Sequence, residues 1–247
     1  MRILLTEDRS PLGSELLKGL SGTHKVHTVP VGTALTNTDA IWSVVRETDA
    51  VVHTGQSLRL VGTDAEPDAE REMLVEATQG MHGLLDAATQ AGVRRFVYCS
   101  TLDLFASIPD DRYISEQWRP DPGTEMATLS HHLAEQVTRE FARERAVSVT
   151  ILRLGHLLRQ EHATTALTPD LLTPDLMWLD PRDAGDAVEC ALQRDTSAQL
   201  NWQSRWSVYH ICSQPPHPKF LLAAARSLGF EPQYNFASAW AGGAGRV

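Results

Sequence analysis

Lysine is scarce in this chain. Three of its 22 basic residues are lysines (Lys18, Lys25 and Lys219), and none lies between Val26 and Pro218, so no lysine-dependent site can be drawn from that long span. Basic charge is short overall: 22 Lys and Arg against 31 Asp and Glu leave a net charge of −9, the opposite of a nucleic-acid-binding footprint. The three cysteines, Cys99, Cys190 and Cys212, are odd in number and sit in apolar runs, which argues against a disulfide framework and for buried thiols in a reducing cytoplasm. No apolar run approaches the length of a membrane span, and the first β-like run starts at residue 2, leaving no room for a signal peptide. The expectation is a cytoplasmic protein with neither a nucleic acid nor a membrane among its partners. Internal repeats and low-complexity tracts are missing too.

What the 247 residues do contain is an alternation of short apolar runs with amphipathic ones. Strands are expected at residues 2–5, 25–31, 50–53, 94–100, 148–153 and 207–212, and helices at 11–20, 39–47, 69–91, 124–145, 181–193 and 219–228. That rhythm predicts an α/β fold, a Rossmann-like doubly wound parallel sheet. Residues 1–153 form its core, and residues 154–247 add a small substrate-side region plus the final strand and helices of the same fold. In the helix at 124–145, Met126, Leu129, Leu133, Val137 and Phe141 make the expected core stripe. Residues 160–180, with their Thr-Pro turns, read as an irregular insert, and 241–247 as a frayed tail.

The stretch MLVEATQGMHGLLDAATQAGVRRFVYCST resembles the central block of the extended short-chain dehydrogenase/reductases, the NAD-dependent epimerase/dehydratase family. Four further segments follow in family order. Asp49-Ala-Val-Val-His53 is similar to the D-x-V-x-H strand, and Thr150-Ile-Leu-Arg-Leu-Gly155 to the I-L-R-P-G strand. Residues 178–187 are similar to the H-V-D-D-V-A helix start, and residues 209–232 to the closing strand and L-G-F-x-P. The chain's size and its HTGQS loop are most similar to the uronate-dehydrogenase-like branch. The resemblance implies an NAD(P) fold, a homodimer through the two long helices, and a small-molecule ligand of the sugar or polyol kind.

Carried over residue by residue, the cofactor signals thin out. The family's T-G-x-x-G-x-x-G loop reads here Thr6-Glu7-Asp8-Arg9-Ser10-Pro11-Leu12-Gly13. Gly13, which packs helix on strand, is kept. Glu7 and Ser10 replace the glycines of the tight turn and of the close approach to pyrophosphate. A carboxylate about 5 Å from a phosphate charge costs roughly 3 kcal/mol at an effective dielectric near 20, with Arg9 offsetting part of it. Ser10-Pro11 supplies an N-cap and a first-turn proline. At the adenosine end, Val29-Pro-Val-Gly-Thr33 has no acidic ribose hook and no arginine for a 2′-phosphate, and Ala34-Leu-Thr-Asn37 stands where the family has D-L-T-D. The residues left to contact NAD or NADP are Thr6, Arg9, Ser10 and Gly13 of the loop, with His53 and Gly55 after the third strand.

The family's chemistry implies a tyrosine acid/base with a lysine one turn later and a Ser or Thr that orients substrate. Thr101 matches the Ser/Thr. Aligning on Ala134-Glu135 puts Ala127 in the tyrosine place and His131 in the lysine place. A phenol needs a neighbouring cation to act near neutral pH, and Ala127 moves no proton. Two functions follow. One is a non-catalytic binding or scaffolding protein on a decayed oxidoreductase site. The other is an atypical enzyme using Thr101 with His131 or with Tyr113 of the RYISEQW loop. For His131 and His132 the plain alternative is a solvated helix face, and for Tyr113 loop packing. Spacings His131/Glu135 and His132/Glu135 lack a third ligand, so no metal is expected. Arg153 fits either a substrate contact or a buried ion pair, and Cys99 a core thiol.

Overall fold

The computed structural model describes residues 1–55, 67–163 and 174–243. Six strands form one parallel sheet: β1 (Arg2–Leu5), β2 (Lys25–Thr28), β3 (Ala50–His53), β4 (Arg95–Thr101), β5 (Ser148–Leu154) and, after the two-stranded β6 (His156–Leu157) and β7 (Trp178–Leu179), β8 (Trp206–Ile211). The spatial order is β2-β1-β3-β4-β5-β8. The winding therefore reverses between β1 and β3, and the carboxyl ends of those two strands open a crevice, the usual ligand position in open α/β sheets.

The inner strands β1, β3, β4 and β5 are buried on both faces because their side chains alternate between two cores. Ile3, Leu5, Val52, Val97 and Leu152 meet α1 (Pro11–Leu20) and α6 (Pro181–Gln193) through Leu12, Leu16, Ala187 and Val188. Leu4, Val51, Phe96 and Ile151 meet α2 (Thr38–Val45), α4 (Met81–Gln90) and α5 (Met126–Glu144) through Ile41, Leu84, Leu85 and Phe141. The short helices α7 (Trp202–Arg205), α8 (Ala223–Leu228) and α9 (Ala237–Gly243) complete the chain. Cys99 and Cys212 are buried, and burial pushes both thiols up to about 12, as core thiols rather than nucleophiles.

Two helices depart from expectation. The run expected at 69–91 is α3 (Pro67–Val75), then a π-helical turn at Glu76–Gly80, then α4. Gly80 is needed there, since a Cβ would lie 2.7 Å from a Glu76 carboxylate oxygen and 2.9 Å from the Leu35 Cβ. In α5 the stripe Met126, Leu129, Leu133 and Val137 is only half-buried, while His131, Ala134, Glu135, Thr138 and Phe141 face inward. The polar residues win that face because β4 and β5 offer them partners, described below. Residues 164–173 of the expected insert and 244–247 of the expected tail lie outside the described residues.

Candidate functional site

The loop after β1 is built by its own side chains. Ser10 caps α1, its Oγ accepting from the Gly13 amide at 2.9 Å, and Pro11 opens the helix where a missing N–H costs nothing. Gly13 packs so closely that a Cβ would sit 2.3 Å from the Glu7 carbonyl oxygen, so its packing role is real. Glu7 folds back over this turn. Its Oε1 accepts the backbone N–H groups of Arg9 and of Ser10, the latter at 2.7 Å. An anion at a helix N-terminus is stabilised by such groups; here the anion is supplied by the chain itself. Arg9 is exposed.

A cavity of about 360 Å³ opens beside this loop, at the switch point. Thr6, Glu7, His53 and Gly55 line it from β1 and β3, Thr33 and Leu35 from beyond β2, and Glu72, Met73, Glu76 and Ala77 from α3 and the π turn. Ala69 of α3, with Tyr98, Ser130, His131 and Ala134, completes the described wall. Two of its histidines are held neutral. His53, hydrogen-bonded through Nδ1 to the Thr6 hydroxyl at 2.8 Å, is pushed down to about 3 by burial, with the nearby His131 adding to the effect. His131 is likewise lowered by burial, against the pull of Glu135 and Asp103. Its Nδ1 hydrogen-bonds the Tyr98 hydroxyl at 2.8 Å, and the Tyr98 ring stacks between His53 and His131. Burial also carries the Tyr98 phenol well above its ordinary value, so it stays protonated. Gly55 has φ +72°, and a Cβ there would strike the Cys99 carbonyl at 2.8 Å and the His131 ring at 2.9 Å.

Past β4 the charges are paired. Glu135 and Arg153, both buried, form a two-pronged ion pair at 2.9 and 2.7 Å, and the Ser100 hydroxyl donates to the same carboxylate at 2.7 Å. This settles Arg153 as a buried ion-pair partner. Thr101 is buried, donates to Asp103 Oδ2 at 2.8 Å and accepts the Asp103 amide at 3.1 Å. His156 bridges Asp103, at 2.7 Å from Nε2, and Asp175, on Nδ1. Hydrogen bonds to the two aspartates raise His156 to about 10. His156 in turn keeps Asp103 below its ordinary value, although burial acts the other way.

The structure thus brings Thr6, His53, Gly55 and His131 around one cavity, with Ser10 and Gly13 shaping the adjoining loop. His131 is buried, which excludes the solvated-face alternative for it. Thr101 is absent from the described cavity lining, and Tyr113 is 62% exposed and absent from it as well. Sequence reasoning passed over Tyr98, Glu72, Glu76 and Ser130. Tyr98 lies in an alternating strand, where nothing marks a phenol as aimed at a helix histidine. Among the described residues no group of three or more His, Cys, Asp or Glu is placed to hold a metal ion, and no helix is long and apolar enough to cross a membrane.

A parallel doubly wound sheet with a crevice at its switch point, bordered by a strand-loop-helix turn, is the architecture of dinucleotide-fold proteins. The chain belongs to the NAD(P)H-binding family, whose model matches residues 20–175. No curated protein matches the sequence. Its fold, a parallel six-stranded sheet flanked by helices, is shared by similar solved structures. Uronate dehydrogenase from Agrobacterium tumefaciens superposes with a TM-score of 0.76 at 16% identity, over 100% of this chain and 89% of that one. UDP-N-acetylglucosamine 4-epimerase from Bacillus cereus gives 0.71 at 17%, over 97% and 96%. UDP-glucuronic acid 4-epimerase from Bacillus cereus in complex with NAD gives 0.71 at 14%, over 97% and 94%.

Proposed function

We propose that this chain is a binding protein on the NAD(P) fold, whose crevice takes a small molecule other than a nicotinamide dinucleotide and performs no hydride transfer. The observation that carries this reading is the Glu7 carboxylate seated on the Arg9 and Ser10 amides. A diphosphate needs those N–H groups, and at about 5 Å from Glu7 each of its charges would be opposed by roughly 3 kcal/mol. No Lys or Arg stands among the described cavity residues to offset this. The diphosphate therefore does not fit the loop as folded, and no reaction step is assigned to a nicotinamide.

The proton-handling groups support the same reading. Ala127 is exposed where the family's tyrosine would stand, and neutral His131 gives its Nδ1 to Tyr98 instead of offering a fixed cation. The half-buried apolar stripe of α5, from Met126 to Val137, supports a homodimer, and the thiols and charge balance a cytoplasmic site. Titration calorimetry of the purified chain with NAD⁺, NADH, NADP⁺ and NADPH tests the reading: heats should stay too small to fit a micromolar site, and a micromolar Kd for any of the four overturns it. The Tyr98–His131 pair on the cavity wall favours the second reading, an atypical enzyme of the same family. Substrate-dependent turnover lost in both His131→Ala and Thr101→Ala would select it.

A further inference from the structure

The cavity at the switch point carries an unusual charge pattern. Glu7, Glu72 and Glu76 line it, and its described wall contains no Lys or Arg. Its histidines are neutral, so they do not balance the carboxylates. The placement of Glu76 is built in. It opens the π-helical turn, lies one helical turn after Glu72, and is held against Leu35 by the Leu35 amide at 3.2 Å and by the absence of a side chain at Gly80.

A second, independent feature points to a ligand. Ser130 is buried to 4% exposure on the same wall, and its hydroxyl has no hydrogen-bond partner. The second oxygen of Glu7 is also unpartnered, although its twin is satisfied by the loop. Unpaired buried polar atoms are rare in folded proteins and call for a partner. A primary ammonium has three donors and no acceptor, which matches a wall of carboxylates and a hydroxyl that a phosphate or a uronate would find repulsive.

We propose that this cavity binds a small organic cation, an amine-bearing molecule whose charge is matched by the Glu72 and Glu76 carboxylates of one wall, with Glu7 across the cavity adding to the negative field and the unpartnered Ser130 hydroxyl available to its amine. The proposal rests on the reading that a dinucleotide does not fill the crevice, and it reverses the charge preference usual at this position of the fold.

A matched series separates charge from shape: glucosamine, glucose and glucuronate share a ring and differ in charge, and spermidine adds a non-sugar amine. In calorimetry on the full chain, glucosamine should bind at least tenfold tighter than glucose, glucuronate more weakly than glucose, and spermidine measurably. Glu72→Gln, at an exposed position, should cut the glucosamine preference several-fold with an unchanged melting temperature, and the Glu72→Gln/Glu76→Gln double variant should erase it. Equal affinities across the series, no saturable heat with either amine, or a preference that survives Glu72→Gln would overturn the proposal. Its failure is distinct from that of the binding-protein reading, which falls to tight nicotinamide dinucleotide binding or to turnover, neither of which the amine series measures.

Discussion

The two halves of the sheet's carboxyl edge treat charge in opposite ways. Beside β1 and β3, the carboxylates of Glu7, Glu72 and Glu76 share a cavity without a cation in its described wall. Beside β4, β5 and their loops, four described acids sit against cations: Glu135 with Arg153, Asp103 and Asp175 with His156, Asp110 with Lys219 at 2.9 Å. Buried ions are tolerated when paired and are costly when left alone. The paired half is therefore a structural lock, with even Thr101 committed to Asp103. The unpaired half keeps charge in reserve for something that arrives from outside. Lys219 belongs to the lock: its ammonium also donates to the Ile108 carbonyl at 2.6 Å and ties the 108–110 loop to the segment before α8.

Breaking the lock should give the largest effect. Glu135 and Arg153 side chains are 1% and 4% exposed, so Glu135→Leu strands a buried guanidinium and should cost about 3–5 kcal/mol of unfolding free energy in urea. A loss below about 1 kcal/mol would mean that the pair is not the anchor of this half.

Acid should act next. Burial, with Arg153 adding repulsion, depresses His210 to about 3, and His53 lies equally low. Each binds its proton in the unfolded chain first, near pH 6.5, so their contribution to stability is present above pH 6.5 and is lost as pH falls toward 3. His210 packs edge-on against Phe105 and Phe220, so His210→Phe should retain the packing and flatten the fall in stability between pH 6.5 and 4. An unchanged slope would contradict the assignment.

His156 works with the other sign. Its folded value of about 10 lies above its unfolded one, so its contribution is complete below pH 6.5 and is lost as pH rises through 10. The ring is 41% exposed, which screens the aspartate pairing to about 1–2 kcal/mol. His156→Gln should remove that alkaline slope and, by releasing Asp103 from its depressed state, also reduce the part of the acid limb in which that carboxylate protonates. The smallest change is expected at Tyr113, where Tyr113→Phe on an exposed ring should stay within about 0.5 kcal/mol of wild type; a larger loss would place its hydroxyl in a contact of its own.

Much of the fold could be read from residue order. Strands such as Ala50–His53 and Ser148–Leu154 are apolar runs of strand length, and Ser10-Pro11 and Asp180-Pro181 mark helix starts through local capping chemistry. The expected strand at residues 25–31 shortened to end at Thr28 because Pro30 cannot donate to a ladder. What escaped were facts of side-chain direction. Composition shows a glutamate at position 7 but not that it turns back onto Arg9 and Ser10. The apolar stripe of α5 outvoted its polar face, because Glu135's partners Ser100 and Arg153 come from strands 18 to 35 residues away. The Asp103–His156–Asp175 bridge spans 53 and 19 residues in sequence and has no motif.

The most direct test of the Glu7 account is NAD⁺ affinity before and after the loop is restored. Glu7→Gly with Ser10→Gly removes the carboxylate from the Arg9 and Ser10 amides and returns both ligand-facing glycines. The account predicts that wild type shows no micromolar NAD⁺ site by calorimetry and that the double variant binds at least tenfold tighter. Micromolar binding by wild type, or no gain in a folded double variant, would contradict it.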